Sequence, residues 1–346
     1  MRTFSGGFLR PAKNRGSVIP MYWGDGSDGI LSAGTTYHAK DAEGVGDFDK
    51  YSGFCIKQFT EINWVPGSPE TLTVDEPCRG LILFIDGDVN IGANATISMA
   101  KMGSILPANP VELLDLYHES KQMRYIVDTL KGLAGGTGGN GGRGGAYNGS
   151  GGAGGSGGTG RICLGGFGGG GGGGGGGATG GAGAAVIYPE VIGHSGQGRA
   201  YSSKNGYSGW NGGAGGGGGQ TYPEGEPNST GGGFMYGGGP GGGAWGSSFC
   251  RGNQSEHTGG LILIIAKGSI TITGILDVTG GAGGDGGSGS ARGGGGGGAG
   301  GGVIAVFSRG AIDTTAAVKT LTGGAGGSGA NSGTTGGQGT YYEEQL

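Results

Sequence analysis

Between Tyr188 and Trp245 the chain sets large rings and short polar residues into a background of glycine. The rings are Tyr188, Tyr201, Tyr207, Trp210, Tyr222, Phe234, Tyr236 and Trp245, with His194 and several Ser, Asn and Gln among them. Rings supply contact area at small entropic cost and short polar side chains adapt their hydrogen bonds, so this is the composition of a binding loop. The chemistry on offer is recognition by stacking and apolar contact. The same rings also suit a second role, capping a glycine scaffold too tight to admit them, and different rings of one loop can serve either role.

Bond-making chemistry finds little footing. GxGxxG matches are many, as they must be in this composition, and none opens a βαβ unit. Gly154-Gly155-Ser156-Gly157-Gly158 matches GxSxG without the strand-to-helix elbow that exposes a nucleophile. There is no Walker lysine and no HExxH, and His38, His118, His194 and His257 are far apart. Cys55, Cys78, Cys163 and Cys250 lack metal-ligand spacing and read as reduced thiols. Gly280-Gly281-Ala282-Gly283-Gly284-Asp285 resembles the opening of a calcium-binding nonapeptide, but Gly287 stands where a large apolar residue belongs and the motif is not tandem. Glu190, Glu224, Glu226 and Glu256 read as loop polars, and a depolymerase built on a carboxylate pair ranks last. The expectation is a protein that is not an enzyme and uses no cofactor or metal.

A formal net charge of −4 excludes a nucleic-acid surface as the main partner. The one basic group, Arg2, Arg10, Lys13 and Arg15, reads as a docking arm. The first residues lack the apolar stretch of a secretory signal, and no segment reaches the length of a membrane span. The expectation is a product made in the cytoplasm that leaves by lysis or a dedicated machine.

The rings must be positioned by glycine, which makes up 101 of 346 residues and becomes dense after Lys131. Glycine pays the largest backbone entropy on ordering, so a flexible linker is the ordinary reading of such a stretch. Collagen would need strict triplets and abundant proline, whereas there are 11 prolines. The remaining ordered form is a bundle of extended threefold helices of the polyglycine II type, held side by side by N–H to O=C bonds. Side chains larger than Ala or Ser must then point outward. The glycine run at 168–177 would make a rod of ~31 Å at ~3.1 Å per residue.

Outside the glycine the pattern is β. Leu81-Ile82-Leu83-Phe84-Ile85 is a short apolar run of the kind buried on both faces, followed by Asp86-Gly87-Asp88, Val89-Asn90-Ile91 and Ala95-Thr96-Ile97-Ser98. The unit returns from Gly260 to Val278, and a degraded third copy runs from Val303 to Leu321. The glycine stretch from Thr279 likewise returns from Thr322. Such copies cannot bury their faces alone, so they stack, either as a β-solenoid or as a sandwich-like layer. Asn109-Pro110 followed by 111–131 and Gly132 reads as one long amphipathic helix, with Leu113, Leu116, Ser120, Met123, Val127 and Leu130 along its stripe. The stripe suits packing on the β or glycine layer, and also a coiled-coil oligomer.

Tandem Gly-Gly-x stretches with aromatic and polar loops between them resemble the distal tail-fibre adhesins of T-even-like bacteriophages, over roughly 132–258. The Gly24 to Gly29 turn and the stretch from Cys78 to Ile91 look like glycine-rich virion and tail proteins. The resemblance implies a polyglycine II scaffold, a location on the virion surface, and a host glycan or outer-surface protein as partner, beside other tail proteins or further copies of the chain. The adhesins lack this helix and these flanking repeats. The expected organisation is an N-terminal β attachment region (1–108), an amphipathic helix (109–131), polyglycine rods with aromatic loops (132–258) and C-terminal β repeats with glycine linkers (259–346). A structural baseplate or capsid protein without a ligand, and an ice-binding or matrix protein, are the alternatives.

Overall fold

The computed structural model describes residues 21–38, 54–78, 80–103, 120–130, 132–133, 135–136, 138–139, 258–283, 297–328 and 332–346. These residues are mostly β. Fifteen strands, numbered along the chain, form three five-stranded sheets. The first holds β1 (Ile30–Leu31), β4 (Glu61–Trp64), β7 (Val89–Ile91), β10 (Ile270–Ile272) and β13 (Ile312–Asp313). The second holds β2 (Thr36–Tyr37), β5 (Glu70–Val74), β8 (Ala95–Ser98), β11 (Ile275–Asp277) and β14 (Val318–Thr320). The third holds β3 (Phe54–Phe59), β6 (Gly80–Ile85), β9 (Leu261–Ala266), β12 (Val303–Ser308) and β15 (Thr340–Gln345).

Every pairing among them is parallel, and each strand lies beside the strand three places along. Leu81 faces Ile262, which faces Ile304, so the three copies read from the sequence stack in register. The pairing is between copies, as expected of strands that cannot bury their faces alone. Register follows from burial, because a one-residue slip would turn an apolar file outward.

The first sheet shows the rule in its simplest form. Leu31, Ile62, Val89 and Ile270 stand in one file and are buried, while Asn63, Asn90 and Thr271 stand in the next and are exposed. An amide ladder runs along the exposed file, with Asn90 Nδ2 3.3 Å from Asn63 Oδ1. The third sheet differs, for β6, β9 and β12 are buried along their whole length. One face joins the inner core with Leu81, Leu83, Ile262, Ile264, Ile304 and Val306. The other carries Ile82, Phe84, Leu263, Ile265 and Phe307 against a helix and Trp23. Each such side chain stabilises the fold by about 1.5–3 kcal/mol on burial.

That helix, α1 (Lys121–Leu130), is shorter than the expected one. Residues 104–119 lie outside the described residues, but the continuous stripe through Ser120 is corrected. Ser120 precedes the helix as its cap, its Oγ accepting from Met123 N–H at 3.0 Å. Met123, Ile126, Val127 and Leu130 then bury themselves on the third sheet. The apolar stripe is thereby used within the chain. The expected turn at Gly24 to Gly29 is present, with φ of 101°, 71° and 73° at Gly24, Gly26 and Gly29, a conformation open to glycine and strained for other residues.

Candidate functional site

The connections between sheets are unequal, and their inequality locates the site. Links from the third sheet to the first are short, as at 86–88 and 267–269, and so are links from the first to the second, as at 92–94 and 273–274. The three longest follow β8, β11 and β14, all leading from the second sheet to the third. The two after β11 and β14 leave directly through glycine-rich chain, the one after β8 does so only beyond α1, and all three return through it. Outgoing stretches include 132–139, 278–283 and 321–328, and returning ones 258–260, 297–302 and 332–339.

Backbone bonds tie these stretches to one another at intervals of three residues. Gly298 and Gly301 donate to Thr334 and Gly337 at 2.9 and 3.0 Å, and Ala299 and Gly302 donate to Gly281 and Val278 at 2.9 and 2.8 Å. Gly280 and Gly283 donate to Thr322 and Ala325 at 2.9 and 2.8 Å. Gly333, Gly336 and Gly339 donate to Gly327, Gly324 and Leu321 at 2.9, 2.9 and 2.7 Å. Gly136 and Gly139, on the stretch that follows α1, donate to Gly301 and Gly298, both at 2.8 Å.

The stretch 297–302 is the hub, buried throughout and bonded to all five of the others. Its sequence is glycine except for Ala299 up to Val303. A Cβ at Gly298 would fall inside the carbonyl oxygen of Gly324, and one at Gly301 inside that of Leu321. Residues 322–328 show the complementary rule. Thr322, Ala325 and Ser328 are exposed, Gly324 and Gly327 are buried, and Gly323 and Gly326 lie between. In this stretch side chains occur where the chain meets water, and glycine where it meets another backbone.

This layer holds both ends of the segment that carries the candidate rings. Gly139 is bonded to Gly298, and Gly259 N–H donates to Gly300 at 3.1 Å. Gly103 N–H donates to Thr258 at 2.9 Å and Gly260 N–H to Met99 at 2.8 Å, fixing the returning end to the second sheet's corner. Residues 140–257 therefore start and finish beside the same three-residue stretch of the hub. Tyr188, His194, Tyr201, Tyr207, Trp210, Tyr222, Phe234, Tyr236 and Trp245 all lie outside the described residues, as do Arg2, Arg10, Lys13 and Arg15.

One polar cluster was not singled out in the sequence, at the last strand. Tyr125 of α1 and Tyr342 of β15 both donate to Glu344, at 2.5 and 2.6 Å. These bonds to a carboxylate, and burial after them, hold the Tyr342 phenol neutral and push its pKa up to about 12. On the other side of β15, Tyr341 and Thr314 donate to Glu343, the latter at 2.6 Å. Burial opposes ionisation of Glu343, yet these hydroxyls and nearby Lys319 outweigh it and leave its pKa below the usual value. The adjacent Tyr-Tyr-Glu-Glu, with alternate residues on opposite faces, was the signal available.

Cys55 and Cys78 are buried free thiols, Cys163 and Cys250 lie outside the described residues, and burial first of all pushes the Cys78 thiol up to about 12. His38 is exposed and bonded to Asp75 at 2.9 Å. Among the described residues no group of three or more His, Cys, Asp or Glu could hold a metal ion, and no helix is long and apolar enough to cross a membrane. Comparison with family models, curated proteins and solved structures finds no match.

Proposed function

We propose that the chain is a bacteriophage virion component, a tail-fibre or tail-tip adhesin that presents the ring-bearing segment 140–257 to a host surface. The three sheets are read as the sides of one parallel β-solenoid, and the glycine layer as a polyglycine II bundle growing from one of its corners. The observation that carries the reading is the pinning of both ends of 140–257 to the hub at Gly298 and Gly300. A scaffold that grips a long segment at both feet, next to a layer that expels large side chains, is built to display that segment.

In this reading Tyr207, Trp210 and Trp245, with the other rings and His194, contact a glycan or outer-surface protein of the host. Arg2, Arg10, Lys13 and Arg15 dock the chain to neighbouring tail proteins. Binding of labelled protein to host cells tests the first part. Replacing 140–257 by a short glycine linker abolishes binding, and Tyr207→Ala, Trp210→Ala and Trp245→Ala together reduce it at least tenfold. Undiminished binding by the replacement variant, with its β signal intact, refutes the display role. A purely structural role is the second reading, favoured by the way the described glycine layer satisfies its own hydrogen bonds. It predicts that the replacement variant still assembles into particles and that the intact protein never competes with phage for cells.

A further inference from the structure

The inward-facing files change their chemistry at both ends of the sheet stack. In the third sheet one file runs Lys57, Leu83, Ile264, Val306, Glu343, with charge at each end and hydrocarbon between. In the second sheet a file runs Leu72, Ile97, Leu276, Lys319 and so ends in an ammonium. Strands β1 to β3 and β13 to β15 each have one partner among the described strands, so these residues stand where another copy would add the next strand.

The two ends are finished in the same way from opposite sheets. At the first, Lys57 of the third sheet places Nζ 4.6 Å from the ring centre of Tyr37 in the second, and 3.6 Å from Asp28 Oδ1. At the last, Lys319 of the second sheet places Nζ 4.5 Å from the ring centre of Tyr341 in the third, and donates to Thr314 O at 2.7 Å. Lys57 is largely buried, its side chain only 14% exposed. In each case the lysine ammonium stands over a tyrosine ring of a neighbouring sheet at the end of an apolar file, and its charge is met within the chain.

We infer that these lysine–tyrosine pairs are end caps that close the stack to a second copy of the chain. A parallel edge with its apolar file running out to the end would template further strands, and inward-pointing charges, lysine above all, prevent this. A copy laid on the Glu343 end would have to strip Lys319 and Glu343 of their present partners and of water. Contacts between copies are thereby confined to the flanks of the sheets and to the glycine layer. The inference stands on register and on these end contacts, and holds whether or not 140–257 binds a receptor.

Light scattering across a concentration series tests it. The wild type keeps one mass. Lys57→Leu, Lys319→Leu and Glu343→Leu combined, which extend the apolar files to both ends, gives a mass that climbs with concentration past any fixed multiple of the chain. Lys57→Met with Lys319→Met, keeping the stem lengths, provides the same readout with less disturbance. Folded variants of either kind that hold the wild-type mass overturn the inference. So does a wild type that itself grows and is dispersed by salt, since Lys57 and Glu343 would then be complementary halves of an end-to-end joint. Hydrogen exchange on the wild type alone is independent of variant folding. Amide protection of β3 and β15 stays constant with concentration, and protection that rises with it overturns the caps.

Discussion

The sheets and the glycine layer solve the same problem with opposite materials. In the sheets, backbones stay about 4.8 Å apart within a layer and the interior is filled by side chains such as Trp64, Phe84 and Ile264, all fully buried. In the glycine layer the interior is backbone itself, and the hub at 297–302 is buried by other main chain. Removal of atoms is the damage the first cannot absorb, and addition of atoms is the damage the second cannot absorb. The hydrophobic effect drives the first, while the second relies on satisfied amides and dispersion between close-packed chains.

Five substitutions break or sharpen this contrast, in falling order of effect. Phe84→Ala, at the double-faced centre of the third sheet, lowers global stability by about 3–5 kcal/mol in denaturant unfolding. Gly301→Ala adds one carbon and costs at least about 1–3 kcal/mol, because the obstructing atom is a carbonyl oxygen that cannot rotate away. Hydrogen exchange at Gly136, which donates to Gly301, and at Gly339, which donates to the obstructing Leu321 carbonyl, accelerates in that variant before exchange in β9 does; equal acceleration would mean the layer and the sheets unfold as one unit. Ser120→Ala removes the helix cap and costs about 1 kcal/mol by thermal unfolding.

The fourth is read from pH. Tyr342 has a folded pKa of about 12, above the ordinary tyrosine value, so its neutral form is the one the fold favours. Its contribution is fully present below about pH 10, the unfolded value, and is lost as pH rises through the folded value. Thermal midpoints measured between these limits fall with pH in the wild type and fall less in Tyr342→Phe. A slope unchanged by the substitution would assign the loss to other groups. The smallest effect is the control for the second: Gly67→Ala, where a Cβ meets nothing within 4 Å, stabilises by about 0.4–1 kcal/mol.

The parts of the fold legible in the sequence were those with neighbours on both sides. β6, β9 and β12 are central strands buried on two faces, so their apolar runs stand out and their spacing exposes the repeat. β3 and β15 were not legible as members of the same sheet, because Lys57 interrupts one and Glu343 and Glu344 the other. Those residues answer to the stack's ends, which a single strand's pattern does not encode. Parallel pairing with the strand three places along was also hidden, since alternation fixes which face is buried and leaves the partner open.

In the glycine region the outward placement of side chains followed from steric necessity and is realised at Thr322, Ala325 and Ser328. That the hub would be 297–302 did not, although among the described residues its near-unbroken glycine coincides with the stretch bonded to all the others. The candidate rings lie outside the described residues, so the recognition surface stands on composition and on where the chain enters and leaves it.

The bonding of Gly136 and Gly139 to the hub has a mechanical meaning. Their hydrogen bonds run across the stretches rather than along them, and the hub continues without a break into β12. A pull on the attached segment therefore loads these bonds in shear, several at once, instead of peeling them one by one. Tension passes from the glycine layer into a strand held on both sides by β9 and β15. A load applied at either end of 140–257 would thus be borne by a strand paired on both sides rather than by a sheet edge.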